Sequence, residues 1–199
     1  MRTVDLVLYA GTFAFAMTGA LKARSYRMDF VGAMVLGFVS AYGGGTLRDL
    51  LIGAPVNWLN DNAALALVVS AVLMVYLLKN DVHQFKRILF LTDALGIGMF
   101  TVGGLEIAAQ HGLNPVYAIL MGVITATFGG LLADVFTSKI PDLLKSGELY
   151  ATACLIGGTA YTLLALAGLD ERANLIASVA LIVAVRIYSK VNKLKLPYI

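Results

Sequence analysis

A chain of 199 residues with 59% hydrophobic and 14% charged side chains, at a mean hydropathy of +0.83, lies far from the composition of a water-soluble domain. Its net charge of +3 gives no reason to expect a nucleic-acid partner, and a single cysteine, Cys154, excludes an intrachain disulfide. The chain reads as an all-α integral membrane protein.

Apolar runs long enough to cross about 30 Å of hydrocarbon follow one another along it. The first, 4–22, has only Arg2 before it and ends at Gly19-Ala20-Leu21-Lys22, so it is not read as a cleavable signal. Lys22 is expected to anchor at the inner surface. The second, 30–52, carries Gly43-Gly44-Gly45 and then Arg48-Asp49, with Pro55 beyond its end. The third covers 62–79, and the fourth, 88–109, opens on Thr92-Asp93-Ala94-Leu95-Gly96 and holds Glu106. The fifth, 114–137, carries Gly129-Gly130 and Asp134, with Pro141 beyond it. The sixth, 148–168, takes in Cys154, and the seventh, 173–190, carries Arg186. Trp58, Tyr76, Tyr117, Tyr150 and Tyr188 fall near span ends and read as aromatic belts. His83 and His111 fall in loops without a second metal-type ligand at useful spacing, so no metal centre is indicated.

The second and fifth runs repeat one pattern. Asp29 matches Asn114, Gly37 matches Gly122, Ala41 matches Ala126, Gly45 matches Gly130 and Asp49 matches Asp134, all at an offset of 85 residues. Gly19 and Leu21 match Gly103 and Leu105 at 84, and Pro55 matches Pro141 at 86. Each repeat, about 4–79 and about 88–168, holds three spans. Because three is odd, the halves enter the bilayer from opposite sides: seven transmembrane helices as a 3+3 inverted repeat plus a seventh helix. That helix has no counterpart and reads as a peripheral or capping element. Lysines and arginines number eleven on one side and two on the other, which predicts an outside N-terminus and a cytoplasmic C-terminus.

Inverted repeats place equivalent helices face to face near the middle, where permeation sites are built. Consecutive glycines weaken a helix by about 1 kcal/mol each relative to alanine. Freed backbone groups are tolerated in a membrane only where protein or water satisfies them. Gly43, Gly44, Gly45, Gly129 and Gly130 are therefore expected to mark bends lining a wet cavity. Close helix packing through small residues is the competing account. Charges within the spans cost a few kcal/mol each and tend to be functional. Arg48, Asp49 and Glu106 fall toward the outer side, and Asp93, Asp134 and Arg186 toward the inner side. Each layer then has two acids and one base, and the leftover negative charge would favour cations. Glu106 and Asp93 also fit ordinary interfacial positions, and Arg48 and Arg186 fit structural ion pairs.

Enzyme readings find little support. The glycine run lacks the Lys-Ser/Thr ending of a phosphate loop, and Asp49 and Asp134 fall on opposite sides of the midplane, too far apart for a shared-proton dyad.

Gly43-Gly44-Gly45-Thr46-Leu47-Arg48-Asp49-Leu50-Leu51-Ile52-Gly53, followed by Pro55-Val56 and Trp58, resembles the signature of the prokaryotic trimeric intracellular cation (TRIC) channels. Length, seven spans and the Thr92–Gly96 segment extend the resemblance over nearly the whole chain. It implies a homotrimer in a prokaryotic inner membrane, with a pore in each subunit where glycine-bent helices 2 and 5 meet, passing potassium or sodium and holding no cofactor. Two departures stand out. Phe128 and Ala133 occupy the positions of Gly43 and Arg48, and Leu105-Glu106-Ile107 stands where animal relatives carry a lysine-glutamate-valine element, so their lipid regulation is not implied. Some bacterial relatives are described as glycine transporters, and a secondary transporter of glycine or a similar zwitterion is the alternative function.

Overall fold

The computed structural model describes residues 3–77, 82–144 and 149–194, the side chains of 82–85 excepted. Arg2, Lys79, Lys145 and Lys195, counted above for orientation, lie outside the described residues, as does the side chain of His83. Seven α-helices are found among the described residues: α1 (Thr3–Ser25), α2 (Phe30–Ile52), α3 (Asn62–Leu77), α4 (Val82–Gln110), α5 (Pro115–Phe136), α6 (Ala151–Leu166) and α7 (Glu171–Val191). Five are long and apolar enough to cross a membrane, while α3 and α6, at 16 residues each, are shorter apolar helices. A 16-residue helix spans about 24 Å.

The 85-residue echo extends to the ends of the helices. Asp29 accepts the Gly32 amide at 2.8 Å to start α2, and Asn114 accepts the Tyr117 amide at 3.2 Å to start α5. These are side-chain N-caps that satisfy orphan first-turn amides. Left-handed residues close the helices in pairs at the same offset: Arg27 (φ 54°) with Gly112 (φ 82°), and Gly53 (φ 69°) with Ser138 (φ 53°). The Met28 amide reaches Ala23 O at 3.0 Å just as the Leu113 amide reaches Ala108 O at 3.2 Å. Helices α1 and α4 therefore follow an offset of 85 like the rest. The 84-residue match of Gly19 with Gly103 is corrected to Gly19 with Gly104.

Two further departures from the sequence reading concern α4 and α7. Helix α4 begins at Val82, because the polar stretch before Ile88 continues the helix beyond the apolar run. His83 thus lies in a helix, and the Asp93 segment lies three turns in. Helix α7 packs on α6 and α4 and sends Arg186 into the protein, 2% exposed, so it is more than a peripheral cap.

Candidate functional site

Helices α2 and α5 cross at their glycines. A Cβ on Gly44 would strike the Thr125 carbonyl, and one on Gly129 would strike the Ser40 carbonyl. Both pairs are related by the 85-residue offset. Gly43 packs against Leu132 and Gly129. Neither cluster interrupts its helix. Gly43, Gly44 and Gly129 thus serve close packing, the competing account given above. Gly45 and Gly130 differ: a Cβ on Gly45 would meet only the Arg48 guanidinium, at 3.8 Å, and one on Gly130 only the Tyr150 hydroxyl, at 3.0 Å. Gly45 lines the cavity on one side of the crossing, whereas Gly130 is buried under the Tyr150 hydroxyl on the other.

On one side, the one expected from the lysine and arginine count to face outward and so named the outer, lies a cavity of about 420 Å³ that takes in Gly45, Arg48 and Asp49. Arg48 donates from Nε and Nη2 to Asp49 Oδ1 at 2.9 and 2.6 Å, and the Asn57 amide donates to Asp49 Oδ2 at 3.4 Å. Asp5 and Asp61 also line this cavity, giving three carboxylates against one guanidinium. Tyr9 donates to Asp61 at 2.8 Å. Trp58, held by Thr46 at 2.9 Å, stacks with Phe38 and Tyr42 at ring distances of 4.9 and 5.6 Å. It is a wall of the cavity rather than a belt residue.

On the other side, expected to face the cytoplasm and so named the inner, a cavity of about 510 Å³ takes in Asp93, Asp134 and Arg186. Asp134 occupies the place Asp49 holds in the outer cavity, and its Oδ2 accepts the Asp142 amide at 2.9 Å, the counterpart of Asn57. Its Oδ1 is paired with Lys22 at 2.9 Å, across from α1, while Lys139 stands at 3.8 Å. The Lys22 ammonium also reaches the Gly130 carbonyl at 3.5 Å. Lys22 is only 8% exposed, so it is not a surface anchor. Arg186 meets Asp93 at 3.4 Å and lies 4.6 Å over the Tyr150 ring, whose hydroxyl donates to Asp93 at 3.1 Å. Asp93 and Tyr150 are therefore interior residues, not interfacial ones. The inner cavity sets three carboxylates against five bases among the described residues. Its net charge is positive, not the leftover negative charge expected of both layers.

The two cavities share no lining residue. Along α1 the outer cavity stops at Thr12 and the inner begins at Thr18, about 9 Å apart. Phe15 fills that interval, fully buried, and meets Phe100 edge to face at 5.0 Å. Phe15 and Phe100 are again 85 residues apart, and Gly11 and Gly96 make room for them: a Cβ on either would strike the opposite ring. Glu106 lines neither cavity. Its carboxylate accepts the Tyr161 hydroxyl between α4 and α6.

A family model described as "Glycine transporter" matches residues 5–79 and 90–166. The UPF0126 inner membrane protein YadS of Escherichia coli is 41% identical over 150 residues, covering 74% of this chain and 72% of that one. A UPF0126 membrane protein of Vibrio cholerae is 39% identical over 171 residues, covering 85% and 71%. Among solved structures, the TRIC trimeric intracellular cation channel orthologue from Rhodobacter sphaeroides superposes with a TM-score of 0.87 at 36% identity, covering 98% of this chain and 100% of that one. The chain belongs to the prokaryotic TRIC family.

In this TRIC-family chain, Lys22, Phe15, Phe100, Tyr42, Asp61 and Tyr150 join the site although the sequence reading did not place them there. One signal was available for Lys22. Ala133 stands where the first repeat has Arg48, so a buried Asp134 needed a base from another helix.

Proposed function

We propose that this chain is a potassium-permeable monovalent cation channel with a pathway inside each subunit of a homotrimer. It sits in a bacterial inner membrane with its N-terminus outside and its C-terminus in the cytoplasm, and does no enzymatic chemistry. The observation that carries this reading is the pair of cavities lined by charged side chains on opposite sides of the α2–α5 crossing, each taking in a buried aspartate, in a TRIC fold.

Three carboxylates in the outer cavity concentrate cations by focusing their field between low-dielectric walls. Asp49 and Asp134, each with one oxygen held by a backbone amide, are the anionic sites a cation meets before and after the midplane. Between them the phenylalanine pair is a hydrophobic constriction of the kind that gates by excluding water. Conduction needs those rings to part.

A planar bilayer holding the purified protein under a potassium gradient tests this. Unitary currents reversing near the potassium potential are expected. A second reading, uptake of glycine, is favoured by the family model's description and by the presence of both charge signs in the outer cavity, which suits a zwitterion. Silent bilayers together with saturable uptake of labelled glycine into liposomes would replace the channel with the transporter.

A further inference from the structure

The repeat treats its two buried aspartates differently. In the outer cavity the base on Asp49 is Arg48, its neighbour on the same helix, so the pair lies along the wall. Position 107, which lines that cavity from α4, is isoleucine. In the inner cavity the two positions are exchanged: Ala133 replaces the arginine, and Lys22, the counterpart of Ile107, supplies the base from α1. This pair therefore joins α1 to α5 at the cavity instead of lying along a single helix.

Its ammonium is held by one carboxylate oxygen of Asp134 at 2.9 Å and by the carbonyl of Gly130 at 3.5 Å. A carboxylate oxygen and a backbone carbonyl beside a glycine are ligands a permeant monovalent cation would use. Thr18, one turn deeper on α1 and 1% exposed, lies behind Lys22 toward the Phe15 constriction.

We propose that Lys22 is the inner gate: its ammonium is a tethered cation seated in the permeant-ion position formed by Asp134 and Gly130, and it must swing aside for an ion to pass. The proposal rests on the channel reading and names how its inner end is controlled. The competing account is a staple that merely ties α1 to α5. Three substitutions separate them. Lys22→Gln empties the seat and should raise potassium conductance roughly tenfold, as expected when a fixed like charge leaves a narrow cleft. Lys22→Arg keeps a tethered cation and should conduct close to the unmodified protein. The double variant Lys22→Gln/Ala133→Arg returns the base to the position Arg48 holds in the first repeat. It keeps Asp134 paired but clears the cavity, and should conduct like Lys22→Gln.

A second readout needs no current. In a Cys154→Ala background, Thr18→Cys in purified protein should resist a bulky charged thiol reagent while Lys22 is present and react readily once Lys22→Gln is added. If the unmodified protein passes no cations, the channel reading fails while the labelling still reports on the seat. Unchanged conductance and labelling in folded Lys22→Gln would overturn the gate. A double variant that stays as closed as the unmodified protein would do the same, and it carries the test if Lys22→Gln does not fold.

Discussion

The outer and inner vestibules are built from equivalent positions of one duplicated unit, yet they carry opposite charge. Asp49 and Asp134 occupy the same place, each with a backbone amide eight residues on donating to Oδ2. The difference lies in the bases. Among the described residues, one arginine stands against three acids in the outer cavity, and five bases surround three acids in the inner one. Inverted duplication supplies a symmetric scaffold, and a few substitutions on it, Arg48 against Ala133 and Ile107 against Lys22, are enough to make an attracting entrance at one end and a guarded one at the other.

The scaffold itself gives the largest predicted effect. Gly44 and Gly129 sit where a methyl group would strike a carbonyl of the opposite helix, whereas Gly45 faces cavity space. Backbone cannot yield as a flexible side chain can. Gly44→Ala or Gly129→Ala should therefore cost at or beyond the upper end of the about 1–3 kcal/mol typical of overpacking, seen as loss of the folded protein or a large fall in thermal midpoint in detergent. Gly45→Ala should be nearly neutral for stability. Equal losses at positions 44 and 45 would remove the distinction between packing glycines and cavity glycines.

Next in size are the two aspartates. Neutralising Asp134 leaves the Lys22 ammonium in an already positive cavity, while neutralising Asp49 leaves the outer cavity with two carboxylates against Arg48. Asp134→Asn should lower potassium conductance by about tenfold and Asp49→Asn by about threefold, following the field each cavity retains. Single-channel recording with matched controls for folding checks the order. Equal effects, or the reverse order, would mean that net vestibule charge does not control entry.

How far the sequence foretells this arrangement depends on which forces are local. Span positions were legible because a run of about 20 apolar residues answers directly to bilayer thickness. The start of α4 was not, since the polar residues before Ile88 are helical without being apolar. Asp49 and Asp134 stood out through their symmetric spacing. The Phe15–Phe100 contact stayed hidden behind a one-residue error: aligning α1 with α4 at 84 sets Phe15 against Met99, and only the cap contacts restore 85. Lys22 looked like an anchor because it ends an apolar run. Its burial comes from α5, a neighbour that no local pattern announces. Tyr150 was assigned to a belt for the same reason, although Asp93 and Arg186 hold it inside.

The smallest predicted effect sharpens the comparison without any change at the α2–α5 crossing. If the vestibules differ in sign, ions entering from the outer end start from a raised local concentration and ions entering from the inner end from a lowered one. Screening should erase that difference as the Debye length falls from about 30 Å at 0.01 M to about 3 Å at 1 M salt. Oriented channels in symmetric potassium chloride should therefore pass about twofold more current inward than outward at the low concentration, and nearly equal currents at the high one. Asp61→Asn removes one outer carboxylate while leaving the Arg48–Asp49 pair intact, and should reduce the low-salt asymmetry while the high-salt current stays unchanged. An asymmetry that persists at 1 M would have to come from the constriction at Phe15 and Phe100, because a short-range steric barrier is blind to salt and a vestibule field is not.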